Sequence, residues 1–129
     1  ILERENHPDY IKTAIQKGYA CEIDVWFCDG EFYLGHDKPL YKTSIEWLRN
    51  EKLWCHAKTF DALRKMLEHD VHCFWHQSDN MTLTSRGYIW ALPGKQPMTG
   101  SIAVLPELYD DPTDGCAGIC SDYIQMYNS

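Results

Sequence analysis

Two carboxylates set two residues apart open the chemical reading of this chain. In Cys21-Glu22-Ile23-Asp24-Val25-Trp26-Phe27 apolar residues take every other position, the pattern of a β-strand whose side chains alternate between faces. Cys21, Ile23, Val25 and Phe27 form one apolar face, suited to packing under helices. Glu22 and Asp24 share the other face, roughly 7 Å apart from Cα to Cα at the rise of a strand. Two acids on an inward face repel, and desolvation raises their pKa values unless a cation compensates. Hard divalent cations favour such oxygen ligands. The apolar Val25-Trp26-Phe27 run argues for a buried strand over a solvent-facing one carrying two idle acids.

The same alternation in Leu53-Trp54-Cys55-His56-Ala57-Lys58 puts His56 and Lys58 on one face, with Lys58 at the strand's C-terminal end. Sites of β/α barrels form at such ends, where a lysine can neutralise an anion or stabilise charge developing in a transition state. Spacing alone leaves Lys58 open between that role and an ordinary strand-end lysine. His36, in Leu34-Gly35-His36-Asp37, sits beside a flexible glycine and an acid. It is a candidate proton donor or acceptor, and a bystander loop histidine is the alternative. His76, Asp79 and Glu107 are weaker candidates.

The elements that must position these groups follow in a regular order. Asn6 is the expected cap of a first helix with Tyr10, Ile11, Ala14 and Ile15 as its apolar stripe and Gly18 as its stop. Tyr19 to Cys28 reads as a strand, Asp29-Gly30 as a hairpin turn, and Glu31 to Gly35 as the returning strand. Thr43-Ser44-Ile45-Glu46 resembles a capping box for a short helix. Leu53 to Lys58 is a strand, and Phe60, Leu63, Met66 and Leu67 have helical spacing. Further strands are expected at His72 to Gln77, Gly87 to Leu92, Ile102 to Leu105 and Ala117 to Ser121, joined by short segments rich in Pro, Gly, Asp and Thr. The alternation of strand and helix implies an α/β fold with mostly parallel strands and few helices in the second half. A full eight-stranded barrel takes about 250 residues. The 129 residues here imply one domain, 1–129, with a reduced TIM-barrel-like plan.

Composition narrows the classes. Apolar residues make up 44% and the net charge is −7, which is globular and offers no clustered basic face for nucleic acid. No apolar run is long enough to span a bilayer. Cys21, Cys28, Cys55 and Cys73 fall in or at the ends of strand-like runs, and Cys116 and Cys120 lack a partner pair for zinc. All six read as thiols, which points to a reducing, cytoplasmic compartment.

Taken in order, Glu5-Asn6, Glu22-Ile23-Asp24-Val25, Asp29-Gly30 and Gly35-His36-Asp37 resemble the glycerophosphodiester phosphodiesterase family. That family reads H-R-G, P-E-N-T, a helix, E-x-D-V, a D-G turn and H-D. Ala117 to Tyr123 looks like its last barrel strand. The resemblance covers about the first third of the chain and the final dozen residues. Three departures stand out. The H-R-G segment is not in the chain, and with it a first strand is expected to be lacking. Arg4 and His7 stand where the family has Pro and Thr. His56-Ala57-Lys58 occupies the place of E-x-K or D-x-K, so Lys58 matches while His56 replaces an acid.

The resemblance implies metal-dependent hydrolysis of a small, glycerophosphodiester-like phosphodiester, with Ca²⁺ or Mg²⁺ on Glu22 and Asp24. It makes His36 one of two acid/base histidines, with its counterpart upstream, Lys58 a catalytic cation, and His56 a third ligand or phosphate contact. The alternative is a catalytically degenerate member that binds a phosphorylated ligand without turnover. Nothing in the sequence fixes an oligomeric state.

Overall fold

The structure, a computed structural model, describes residues 2–4, 6–77 and 79–122. Glu5 and Tyr123 of the motifs above lie outside the described residues. Helix α1 (Pro8–Gln16) starts with Pro8 at its first position and buries Ile11 and Ala14. Its cap is His7, whose Nδ1 accepts the Asp9 amide at 3.2 Å, and not Asn6. Gly18 ends the helix with φ near 90°, a conformation open to a residue without Cβ. Strand β2 (Ala20–Cys28) follows. Asp29 and Gly30 both have positive φ, at 52° and 76°. That is the turn whose twist matches a hairpin, and β3 (Glu31–Leu34) returns antiparallel with Val25 opposite Leu34. Strand β4 (Tyr41–Thr43) extends this ribbon along β3.

The short helix α2 (Ile45–Leu48) is capped by Ser44, one residue later in the expected box, and it buries Leu48. Strand β5 (Leu53–Ala57) lies parallel to β2, with Glu22 opposite Trp54 and Asp24 opposite His56. Helix α3 (Phe60–Glu68), capped by Thr59, carries the chain back to β6 (Cys73–Phe74), parallel to β5 with His56 opposite Phe74. The second half has strands β7 (Met81–Leu83), β8 (Ile89–Ala91), β9 (Ile102–Val104) and β10 (Gly118–Ser121). Its one described helical segment is a 3-10 turn, Pro106–Leu108.

Before α1 the sequence shows no strand pattern, yet Leu2–Arg4 forms β1, parallel to β2 on one side and to β10 on the other. The position where a first strand is expected to be lacking is thus occupied. The ladder runs β4-β3-β2-β1-β10-β9-β8-β7, and β5 and β6 continue it from the other side of β2. Most pairings are parallel; the antiparallel ones are β2–β3, β3–β4 and β7–β8. The fold is therefore mixed α/β with mostly parallel strands and few helices.

Alternation sorts the side chains into two layers. Cys21, Ile23 and Val25 of β2 and Leu53, Cys55 and Ala57 of β5 pack with Ile11, Leu48, Ala62 and Met66 from the helices. Each such aliphatic side chain contributes about 1.5–3 kcal/mol when fully buried. The opposite face gathers Trp54, Phe74, Trp90, Ile102, Val104 and Cys120. Glu22, Asp24 and His56 alternate with the helix-facing residues and so point into this second layer. Among the described residues no ladder joins β6 to β7. Hydroxyls tie the two edges instead: Ser85 Oγ accepts the Cys73 amide at 2.8 Å, and Thr82 Oγ1 donates to the Trp75 carbonyl at 3.1 Å. The six cysteines are all free thiols, with Cys21, Cys55, Cys73 and Cys120 buried, and no described helix is long and apolar enough to cross a membrane.

Candidate metal centre and adjoining cleft

The β2–β5 register builds the centre. In a parallel pair, residues directly opposite project to the same side, so Asp24 and His56 stand side by side and Glu22 sits one pleat below. Their parallel pairing ends one residue later, at Val25 and Ala57, which puts the group at the C-terminal rim of the parallel strands. One ligand-capable atom from each of Glu22, Asp24 and His56 lies within 4.8 Å of the others. Relative exposures are 2%, 0% and 8%. Taking charges this far out of water costs several kcal/mol per ion unless partners compensate.

His56 Nδ1 is 3.1 Å from Asp24 Oδ1 and 3.9 Å from Glu22 Oε1. Its Nε2 is 3.4 Å from the His76 carbonyl oxygen. The ring lies parallel to Phe74 and His76, with centroids at 5.3 and 4.3 Å, so packing fixes its orientation. The second oxygen of Asp24 is held from another direction. Asn6 Nδ2 donates to Asp24 Oδ2 at 3.0 Å, and Asn6 Oδ1 accepts the Asp24 amide at 2.8 Å. Burial is the largest influence on the Asp24 carboxyl and pushes its pKa up. The His56 and Asn6 hydrogen bonds and the charges of His56 and Lys58 together outweigh it, leaving the carboxyl below its ordinary 3.8. Burial, then Cys73 and Glu22, pushes the neighbouring Cys55 thiol well up.

Above this cluster Asp24 also borders a cleft of about 430 Å³, lined by Asn6, His7, Asp24, His36, Leu40, Tyr41 and Asp122. His36 reaches it from the loop between β3 and β4. Gly35 anchors that loop: its amide donates to the Asp24 carbonyl at 3.1 Å and its carbonyl accepts Trp26 Nε1 at 2.6 Å. A Cβ on Gly35 would overlap the Lys38 carbonyl oxygen, so the loop requires glycine there. The His36 side chain is 56% exposed, with Nδ1 2.9 Å from Asp37 Oδ1. His7 faces the same cleft from the start of α1, its ring 5.1 Å from Tyr41. Lys58 lines a smaller cavity of about 140 Å³ shared with His56 and His76.

The structure thus gathers Glu22, Asp24 and His56 in one cluster and puts His36 on the cleft that Asp24 borders. Lys58 lies beside His56 and acts on Asp24 through its charge. Sequence reasoning missed Asn6 and His7. Asn6 looks like a helix cap, but its amide is engaged by Asp24 18 residues on, and the cap falls to the next residue. The available signal was Asn6 itself, part of the Glu5-Asn6 pair. His7 carried none, since histidine is not a preferred cap. Comparison of the chain with protein-family models, curated proteins and solved structures gives no match.

Two carboxylates and one imidazole, buried and close, could hold a metal ion. The donor set fits one on chemical grounds: all three groups bind divalent cations, and a cation offsets the proximity of two acids that burial disfavours.

Proposed function

We propose that this chain is a metal-dependent phosphodiester hydrolase on a reduced TIM-barrel-like sheet, acting on a small, glycerophosphodiester-like substrate. The observation that carries the reading is the buried Glu22–Asp24–His56 cluster bordering, through Asp24, a cleft with two histidines on its walls. A divalent cation held by these three residues would supply positive charge against phosphoryl oxygens. Asn6 keeps the Asp24 carboxylate oriented by its paired hydrogen bonds. His36, with Nδ1 2.9 Å from the Asp37 carboxylate, lines the cleft as the candidate acceptor for the proton of an attacking hydroxyl. His7 accepts the Asp9 amide at Nδ1, which leaves the hydrogen on Nε2, and it lines the same cleft, so it is the candidate donor to a phosphoryl or leaving oxygen. Lys58 adds positive charge beside His56.

The test is release of alcohol from a simple phosphodiester such as bis(p-nitrophenyl) phosphate, with and without divalent cation. Asp24→Ala should abolish the metal-dependent rate, and an unchanged rate in that variant would remove the mechanism. A second reading, a binder of phosphorylated ligands without turnover, draws on the 3.1 Å contact between His56 and Asp24, which as an imidazolium–carboxylate pair fills the seat without an ion. It predicts saturable binding of a phosphate monoester and no alcohol release at any cation concentration.

A further inference from the structure

We propose that the Glu22–Asp24–His56 centre selects a first-row transition ion of the Mn²⁺ or Zn²⁺ kind over Ca²⁺ and Mg²⁺. The inference rests on the metal-centre reading above and adds the class of ion. Its first ground is the donor set. Calcium and magnesium take oxygen ligands, calcium six to eight of them, whereas an imidazole nitrogen among carboxylates favours the transition series. In this centre one donor of three is the Nδ1 of His56, 3.1 Å from the Asp24 oxygen and 3.9 Å from the Glu22 oxygen.

The second ground is the way the imidazole is held. Its far nitrogen, Nε2, lies 3.4 Å from the His76 carbonyl oxygen. Without an ion, Nδ1 donates its hydrogen to Asp24 Oδ1 at 3.1 Å; an ion taking the place of that hydrogen would leave Nε2–H to the His76 carbonyl, which only accepts. A ligating histidine whose other nitrogen donates to a backbone carbonyl is the usual arrangement around a transition ion. The ring is fixed from outside the cluster, by its parallel packing on Phe74 and His76, so the centre is preorganised for nitrogen ligation.

The third ground is the shortage of oxygen. The cavity beside Glu22 and His56 is only about 120 Å³, and its other walls are His76, Trp90, Leu92, Pro93 and Val104. Among the described residues no further carboxylate lines it. An ion needing few protein ligands and a compact shell suits this space, and one needing six to eight oxygens does not.

The experiment is calorimetric titration of the chelator-treated chain with Mn²⁺, Zn²⁺, Ca²⁺ and Mg²⁺, each alone. The expected result is stoichiometric binding with the transition ions tighter by roughly tenfold or more. His56→Asp, which makes the donor set all oxygen, should erase that preference and strengthen Ca²⁺ relative to Zn²⁺. Calcium or magnesium binding as tightly as both transition ions in the wild type overturns the inference while leaving the metal centre standing. Binding of no ion sinks the centre itself. Should His56→Asp fail to fold, pulsed electron paramagnetic resonance of the Mn²⁺-loaded wild type reads the ligand directly. Nitrogen-14 coupling from a bound imidazole is expected, and its absence overturns the selection argument.

Discussion

Replacing Asn6 by alanine isolates the side chain that holds Asp24 from outside the β2–β5 pair. It removes two interactions at once: the donor to Asp24 Oδ2 at 3.0 Å and the acceptor of the Asp24 amide at 2.8 Å. A hydrogen bond to an ionised group contributes about 1.5–3 kcal/mol, and a buried amide left without an acceptor costs about 1–3 kcal/mol. Asn6 is half-buried, so water recovers part of this and the net loss should be about 2–4 kcal/mol. For a chain of this length that lowers the melting temperature by roughly 8–15 °C. Asn6→Asp supplies the control of sign. It keeps an acceptor for the amide but sets a second carboxylate against Asp24 Oδ2, a repulsion of about 5 kcal/mol at 3 Å for an effective dielectric near 20. In chelator-treated protein at neutral pH it should therefore be less stable than Asn6→Ala. The acid limb follows as well. Asp24 has a native pKa below its ordinary 3.8, so its contribution is present above that value and is lost as pH falls through the native one. Without the Asn6 bond the native value rises, and acid unfolding begins at higher pH. Thermal and urea unfolding from pH 2 to 8 tests all three statements. A loss under about 1 kcal/mol for Asn6→Ala, or Asn6→Asp the more stable of the two, would refute the reasoning.

A buried histidine gives a second pH dependence. Thr84 Oγ1 accepts the Arg86 and Tyr88 amides, so its hydroxyl hydrogen goes to His72 Nε2 at 2.8 Å and holds that ring neutral. Burial, then the charge of Arg86, lowers the His72 pKa from 6.5 to about 4. Its contribution is complete above 6.5 and is lost as pH falls toward 4, worth at most about 3 kcal/mol before solvent screening reduces it. His72→Gln should flatten the stability profile between those values, and a profile parallel to wild type counts against it. Ser85→Ala removes the acceptor of the Cys73 amide and should cost about 1–3 kcal/mol, with faster hydrogen exchange at Cys73 as the local readout. Thr59→Ala deletes the cap that accepts the Ala62 amide at 3.1 Å and should cost about 1 kcal/mol by urea denaturation.

What the sequence disclosed, and what it withheld, divides along physical lines. Period-two alternation is strong over the nine residues of β2, so the two faces of that strand, and with them Glu22 and Asp24, were readable from spacing. The Asp29-Gly30 turn was readable because few other dipeptides accept positive φ twice in succession. His56 was visible as a residue on the same face as Lys58, but its place beside Asp24 depends on the β2–β5 register, which no local pattern encodes. Strands β1, β4 and β7 have three residues each, too few to show a period, and they exist because neighbouring strands offer them hydrogen bonds. Asn6 was misassigned for a related reason: a cap preference is local, and here a long-range partner outcompetes it.

Strand β2 is one unbroken backbone with two jobs. Its first half pairs with β1 and β5 and holds the acids, and its second half leaves them to pair with β3, where the ribbon carries the His36 loop. Floor and rim are thus cast in a single piece, meeting at Val25, which pairs with Leu34 on one side and Ala57 on the other. The loop beyond Gly35 that carries His36 lies outside the β2–β5 ladder, whereas any slip of β2 against β5 displaces both parts together. Variation in what the cleft admits is accordingly cheapest in that loop, and the register below it is the feature least open to change.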